Sequence, residues 1–173
     1  MDIGHAAGPA GRASRAALDG RHEDAVRLYE EAVALAPAAA FLHYDLGLEY
    51  AETGRIDEAI VSLREAVRLN GEDAEALSEL GKLEIDSGHP GAALEVLDAA
   101  LKLNPHHAAA WNNRGVVEFL KGRYGEAAGY FQTATSEDPT LADAWYNLAD
   151  AYGEIGDDQA RKDALRRYRE LSR

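Results

Sequence analysis

Residues 108–141 read AAAWNNRGVVEFLKGRYGEAAGYFQTATSEDPTL, and this stretch decides the fold. Trp111-Asn112-Asn113-Arg114-Gly115 belongs to a helix-length segment that Gly122-Arg123-Tyr124 interrupts. Glu126-Ala127, Tyr130-Phe131 and Ala134 then carry a second helix-length segment, and Asp138-Pro139 stops it. Gly122 is one of five glycines, with Gly20, Gly54, Gly88 and Gly156, each 34 residues after the one before. A fixed period without insertion signals stacked repeats. Units beginning at Ala6, Ala40, Ala74, Ala108 and Ala142 give one array of repeats 6–39, 40–73, 74–107, 108–141 and 142–173. Residues 1–5 precede it as an expected disordered N-terminus.

Each unit predicts two antiparallel helices. Gly47, Gly81, Gly115 and Ala149 are the small residue of the first helix, and Ala25, Ala59, Ala93 and Ala127 that of the second. Small residues facing each other let two helix axes approach closely. The five glycines close the first helices, where a left-handed cap would cost another residue about 1–2 kcal/mol. Pro37, Pro105 and Pro139 stop the second helices, and Gly71 stands in that place once. The first unit is thin, with Gly8-Pro9-Ala10-Gly11 a poor helix former. It predicts a short helix from about Pro9 to Asp19, then a firm one from Glu23 to Ala36 with Ala25, Leu28, Tyr29, Ala32, Val33 and Leu35 on one face. In the last unit, Ala164, Leu165, Tyr168 and Leu171 form the inner face of a charged helix. Its outer face carries Arg161, Lys162, Arg166, Arg167 and Arg169, as a terminal cap requires.

Among the 173 residues there is no cysteine, which excludes a disulfide framework, a thiolate zinc site and cysteine nucleophiles. The net charge of −13 is concentrated in the middle: residues 40–73 hold 8 acids and 3 bases, and residues 74–107 hold 6 and 2. That argues against nucleic acid, which needs a basic footprint. No apolar run approaches the ~18 residues of a membrane span, and the start lacks a secretion signal. A cytoplasmic protein is expected, and the Ala, Gly and Arg usage points to a GC-rich bacterium.

Leu46-Gly47, Tyr50, Ala59, Leu63 and Ala66, then Leu80-Gly81, Ala93, Leu97, Ala100 and Pro105, repeat the pattern of residues 108–141. In its period and motif the chain resembles the tetratricopeptide repeat (TPR) family. The resemblance implies an all-α, right-handed α-solenoid of antiparallel helix hairpins, with a concave groove that binds extended partners. The groove positions it implies are Phe41, Tyr44, Asp45, Leu48 and Glu52; Glu75, Ser78, Glu79, Lys82 and Asp86; Asn112, Asn113, Val116 and Leu120; and Asp143, Tyr146, Asn147 and Asp150. Asn113 and Asn147 occupy one offset in successive units. They resemble the start of the asparagine ladder of peptide-binding members, since an amide side chain both donates and accepts. Asp45 and Glu79 hold the same offset earlier. Lys82 is the one cation of the set, so the basic clamp that some members use on carboxylate termini is not expected. Phe41, Tyr44 and Leu48, flanked by acids, suit a segment with hydrophobic anchors and basic flanks.

Where Tyr50 and Tyr152 stand, the middle units carry Glu84 and Glu118. Arg114 lies four residues before Glu118, which predicts an ion pair on one helix face, with Glu84 a candidate third member. No P-loop, GxSxG or HExxH sequence occurs, so neither catalysis nor a cofactor is expected. His106-His107 follow Pro105 in a turn, and no metal site is expected there. The function expected is a protein- or peptide-binding scaffold. The alternative is a self-assembly module forming homo-oligomers through its terminal repeats.

Overall fold

The computed structural model describes residues 3–173. Ten helices account for all the regular structure among these residues: α1 (Ile3–Leu18), α2 (His22–Leu35), α3 (Ala40–Glu52), α4 (Ile56–Leu69), α5 (Ala74–Asp86), α6 (Pro90–Leu103), α7 (Ala108–Leu120), α8 (Tyr124–Glu137), α9 (Ala142–Ile155) and α10 (Asp158–Leu171). They form two compact units, one ending at Leu83 and the other beginning at Glu84, so the boundary falls inside α5. In the first unit α1 packs on α2, α2 on α3 and α3 on α4. In the second, α6 packs on α7, α7 on α8 and α9, α8 on α9, and α9 on α10.

The five periodic glycines all have positive φ, from 73° at Gly20 to 86° at Gly156. Each closes a first helix with the same pair of backbone bonds. At Gly54, its own N–H reaches the Ala51 carbonyl at 3.0 Å, and the Arg55 N–H reaches back to Tyr50 at 2.8 Å. Gly122 repeats this with Phe119 at 2.9 Å and Arg123 to Glu118 at 3.0 Å. This is the Schellman closure, which satisfies the last carbonyls of the helix and turns the chain back at once.

Two expectations shift in detail. The first helix begins at Ile3 rather than Pro9; Pro9 falls inside it and is buried. Residues 1 and 2 of the expected disordered leader lie outside the described residues, and residues 3–5 belong to α1. The buried face of α2 is Ala25, Val26, Tyr29 and Ala32, while Leu35 is 46% exposed. The helix is rotated so that Val26 takes the place expected for Leu35.

Small residues bring the paired helices together: a methyl group on Gly47 would lie 3.3 Å from the Ala59 carbonyl. A methyl group on Gly115 would lie 2.6 Å from the Phe131 ring, and one on Gly47 would lie 2.8 Å from Leu63. The large residue four positions after each alanine fills the space its glycine leaves. Phe131 is the centre of the second unit's core, with Ala127, Ala128, Leu148, Ala149, Ala151 and Ala164 around it. In α10, Ala164 is buried and the five predicted outer cations are exposed.

A further device fixes the joints between repeats. The indole N–H of Trp111 donates to the carbonyl of Pro105 at 2.8 Å, and that of Trp145 to Pro139 at 3.0 Å. His43 Nε2 does the same to Pro37 at 2.9 Å; a carbonyl only accepts, so Nε2 carries the proton. The joint at Gly71 carries Leu77 in the ring position. There Asp73 caps α5 instead, accepting from the N–H groups of Glu75 and Ala76 at 3.1 Å.

The predicted Arg114–Glu118 pair is present at 2.6 Å. Lys121 at 3.2 Å and Arg123 at 3.0 Å complete a cationic ring round this buried carboxylate, and Asp98 holds the other side of Arg114 at 3.1 Å. Burial resists the charge on Glu118. The hydrogen bonds from Arg114 and Lys121 outweigh that and hold its carboxyl below the ordinary range. Glu84, at the same offset, is also buried, with His89 at 3.4 Å. The residue five positions on serves this offset in each of these repeats: Arg123 pairs with Glu118, and Arg55 lies 4.4 Å over the Tyr50 ring.

Two predictions follow from this packing. Gly115→Ala should overpack the Phe131 contact and cost about 1–3 kcal/mol in urea denaturation. Gly129→Ala, on an open face of α8, should instead stabilise by about 0.5–1 kcal/mol. Equal effects would show that the helix pair does not close on Gly115. Arg114→Leu should cost about 1.5–3 kcal/mol at neutral pH. Because the Glu118 carboxyl is depressed, its stabilising contribution is complete above the unfolded value of about 4.3 and is lost as pH falls through the folded value. The stability gap between wild type and Glu118→Gln should therefore shrink as pH drops below about 4; a gap independent of pH would refute the pair.

Candidate binding site

Helices α7 and α9 lie side by side in the second unit and bring several of the predicted groove residues together. Gly115 allows α7 to sit close on α8, and Ala144, Ala149 and Ala151 of α9 are buried. The face between them carries Asn112, Asn113, Val116, Asn147 and Asp150. Asn147 Nδ2 donates to Asn112 Oδ1 at 2.9 Å. Asn147 is therefore tied to Asn112 within the protein, as a rung across the two helices. The physical reason is burial: Asn112 is 8% exposed, and its carbonyl needs a donor that Asn147 supplies. Asn113 is equally buried, at 9%.

Beside this rung lies a small pocket of about 60 Å³, lined by Val116, Phe119, Phe131, Asn147 and Asp150. Its walls are apolar, and Asn147 and Asp150 are its polar groups. Val116, Asn147 and Asp150 were legible from the repeat offsets. Phe119 and Phe131 were not, because the offsets mark first-helix surface positions and these rings enter from the flank and from beneath. Tyr146 is 46% exposed and packs on Tyr168 of α10, with ring centroids 5.3 Å apart.

In the first unit Phe41 is 52% exposed. Tyr44 and Leu48 are half-buried, and Leu42 and Leu46 on the other side of α3 are buried. Burial pushes the Tyr44 hydroxyl well above its usual range, and Glu75, Glu79, Asp73 and Asp45 add to that. Asp45 is raised by burial too, partly offset by a hydrogen bond from Tyr29. This patch is aromatic and strongly negative, so it favours a cation beside an apolar group. Lys82 is exposed and Ser78 is buried, while Glu79 is half-buried.

Three family models match the chain. One described as tetratricopeptide repeat covers residues 78–142, one described as TPR repeat covers 47–88, and another tetratricopeptide repeat covers 130–162. A search of curated proteins finds no match. Among solved structures, the chain is similar to MamA at 25% identity over 92% of this chain and 91% of that one, with a TM-score of 0.75. It is similar to YrrB, described as a TPR protein with an unusual peptide-binding site, at 25% identity over 94% and 84%, with a TM-score of 0.71. A chain of the APC/C hetero-tetramer Cut9–Hcn1 matches at 24% identity over 96% of this chain and 34% of its own length, with a TM-score of 0.89. The family models, these likenesses and the five glycine-closed hairpins agree: the chain belongs to the tetratricopeptide-repeat family and shares its all-α fold of repeated helix hairpins.

Proposed function

We propose that this chain is a non-catalytic protein-interaction scaffold that holds an extended peptide on the face of its first helices. One observation carries the reading: the pocket beside the Asn112–Asn147 rung. About 60 Å³ suits one small apolar side chain. Asn147 and Asp150 stand where they can meet the peptide backbone or a flanking cation. Sites of this kind fix a ligand through a few polar groups set among apolar ones. Phe41 and Tyr44, among Asp45, Glu75 and Glu79, offer a contact of the same character in the first unit. A ligand with hydrophobic anchors and Lys or Arg beside them fits both. The printed description of YrrB as a peptide-binding TPR protein, and the place of Cut9 in a hetero-tetramer, support an interaction role.

No described helix is long and apolar enough to cross a membrane. The charge distribution gives no support to nucleic acid as a partner. A cytoplasmic bacterial protein is the setting that composition supports.

The test is selection from a random dodecapeptide library on the full chain. Selected peptides should share an apolar residue next to Lys or Arg. Asn147→Ala combined with Asp150→Lys should weaken them at least tenfold, about 1.4 kcal/mol, with the helical circular dichroism unchanged. Peptides that bind the double variant as tightly as wild type would remove this face from the function.

A further inference from the structure

The protein contains an internal template for a binding site on the opposite side of its last hairpin. In the fourth repeat Trp111 is pinned by its N–H to Pro105, and the ring of Tyr130 stacks on its face at 5.8 Å with an 18° tilt. Arg114 lies over the Tyr130 ring at 5.2 Å. The groove between α6 and α8 above α7 thus receives a cluster of indole, phenol and guanidinium. One repeat later Trp145 is pinned in the same way to Pro139. The residue 34 positions after Tyr130, however, is Ala164. The ring is missing here, and a groove of about 620 Å³ opens between α8 and α10, with Trp145, Leu148, Thr135 and Ala164 among its lining. Arg167, whose counterpart one repeat earlier is Thr133, stands over the Trp145 ring at 5.7 Å and pairs with Glu170 at 2.7 Å.

The same rule holds in the first unit. The position of Tyr130 is taken there by Ser62, and a groove of about 530 Å³ opens beside His43 and Val61. A small residue at this offset leaves the groove open, and a large one fills it. Only the last hairpin combines the opening with an indole and a cation. A cavity of about 150 Å³ is enough to take up benzene, so the space admits an aromatic side chain with its backbone.

Charge states the rest of the ligand. From Asp158 to the last residue the chain holds six bases and three acids, although the protein as a whole is at −13. Arg161, Lys162 and Arg169 are exposed along α10. We propose that the α8–α10 groove of the last hairpin binds an aromatic side chain carried on an acidic segment of a partner protein. The ring enters the space beside Ala164 that Tyr130 fills one repeat earlier, with Trp145 and Arg167 on its walls. Stacking and cation–π contact hold it, and α10 attracts the flanking carboxylates. This surface is separate from the α7–α9 face, and its ligand has the opposite charge.

Calorimetric titration of the full chain tests this with an acetylated, amidated pentapeptide: one phenylalanine between two aspartate–glutamate pairs. Saturable binding is expected below about 1 mM. It should fall at least tenfold when the phenylalanine is replaced by alanine or the acids by lysines. Ala164→Tyr should abolish it by supplying the ring in cis. Should that variant not fold, Trp145→His serves; a histidine makes the same tether at position 43, so the joint is kept while the stacking surface is lost. No binding to wild type, or equal binding to folded Ala164→Tyr or Trp145→His, overturns the proposal. Concentration-dependent self-association that Ala164→Tyr removes and the peptide does not compete would make a second copy the occupant, and would overturn it as well.

Discussion

Everything in this structure depends on a left-handed residue at the end of each first helix. At five places the chain must turn back within two residues, and the Schellman bonds that allow it demand positive φ. Glycine alone adopts that conformation without strain. Because the turn has the same length each time, the second helix starts at the same register, and the contacts of one hairpin recur 34 residues later. Repetition of function-bearing positions follows from repetition of that turn.

Within this constraint the repeats vary where variation is cheap in structure and rich in chemistry. The core positions hold mainly alanine and leucine, with a few valine, isoleucine, tyrosine and phenylalanine side chains, set by how close two helices must come. The offset of Tyr50, Glu84, Glu118 and Tyr152 tolerates a phenol or a buried carboxylate, because the flanking residues change with it. Glu118 has three cations, Tyr50 has Arg55 and Glu30, and Tyr152 accepts from Gln132 at 2.6 Å. The stability of a buried carboxylate of this kind rests on satisfied charge. The offset of Ser62, Tyr130 and Ala164 sets whether the outer groove is filled or open. Trimming a residue from the repeated scaffold is enough to open such a groove.

Most of the fold was legible because its punctuation is local. Gly54, Gly122, Pro105 and Pro139 mark helix ends through backbone geometry, which a sequence states directly. The Arg114–Glu118 pair was legible because four residues on one helix fix the neighbours. What the sequence hid was any fact that needs the relation between helices. The α1 start at Ile3 overrides a poor local propensity at Gly8-Pro9, as tertiary contact often does. The Phe131 ring against Gly115 and the hydrogen bond from Asn147 to Asn112 are two such facts. Each depends on small axial shifts that a 34-residue period does not encode. The joints tied by Trp111 and Trp145 escaped for another reason. An indole reads as apolar bulk, and its one N–H declares a role only when a carbonyl is seen six residues back.

The most direct measurement replaces Gly122 by D-alanine and by L-alanine in otherwise identical semisynthetic protein and compares their unfolding free energies. A D-residue favours positive φ, so the D-alanine protein should match or exceed wild type, while L-alanine should cost about 1–2 kcal/mol. Equal loss from both, or none from L-alanine, would mean that the turn is not closed by a left-handed residue, and the account of the repeat would fail.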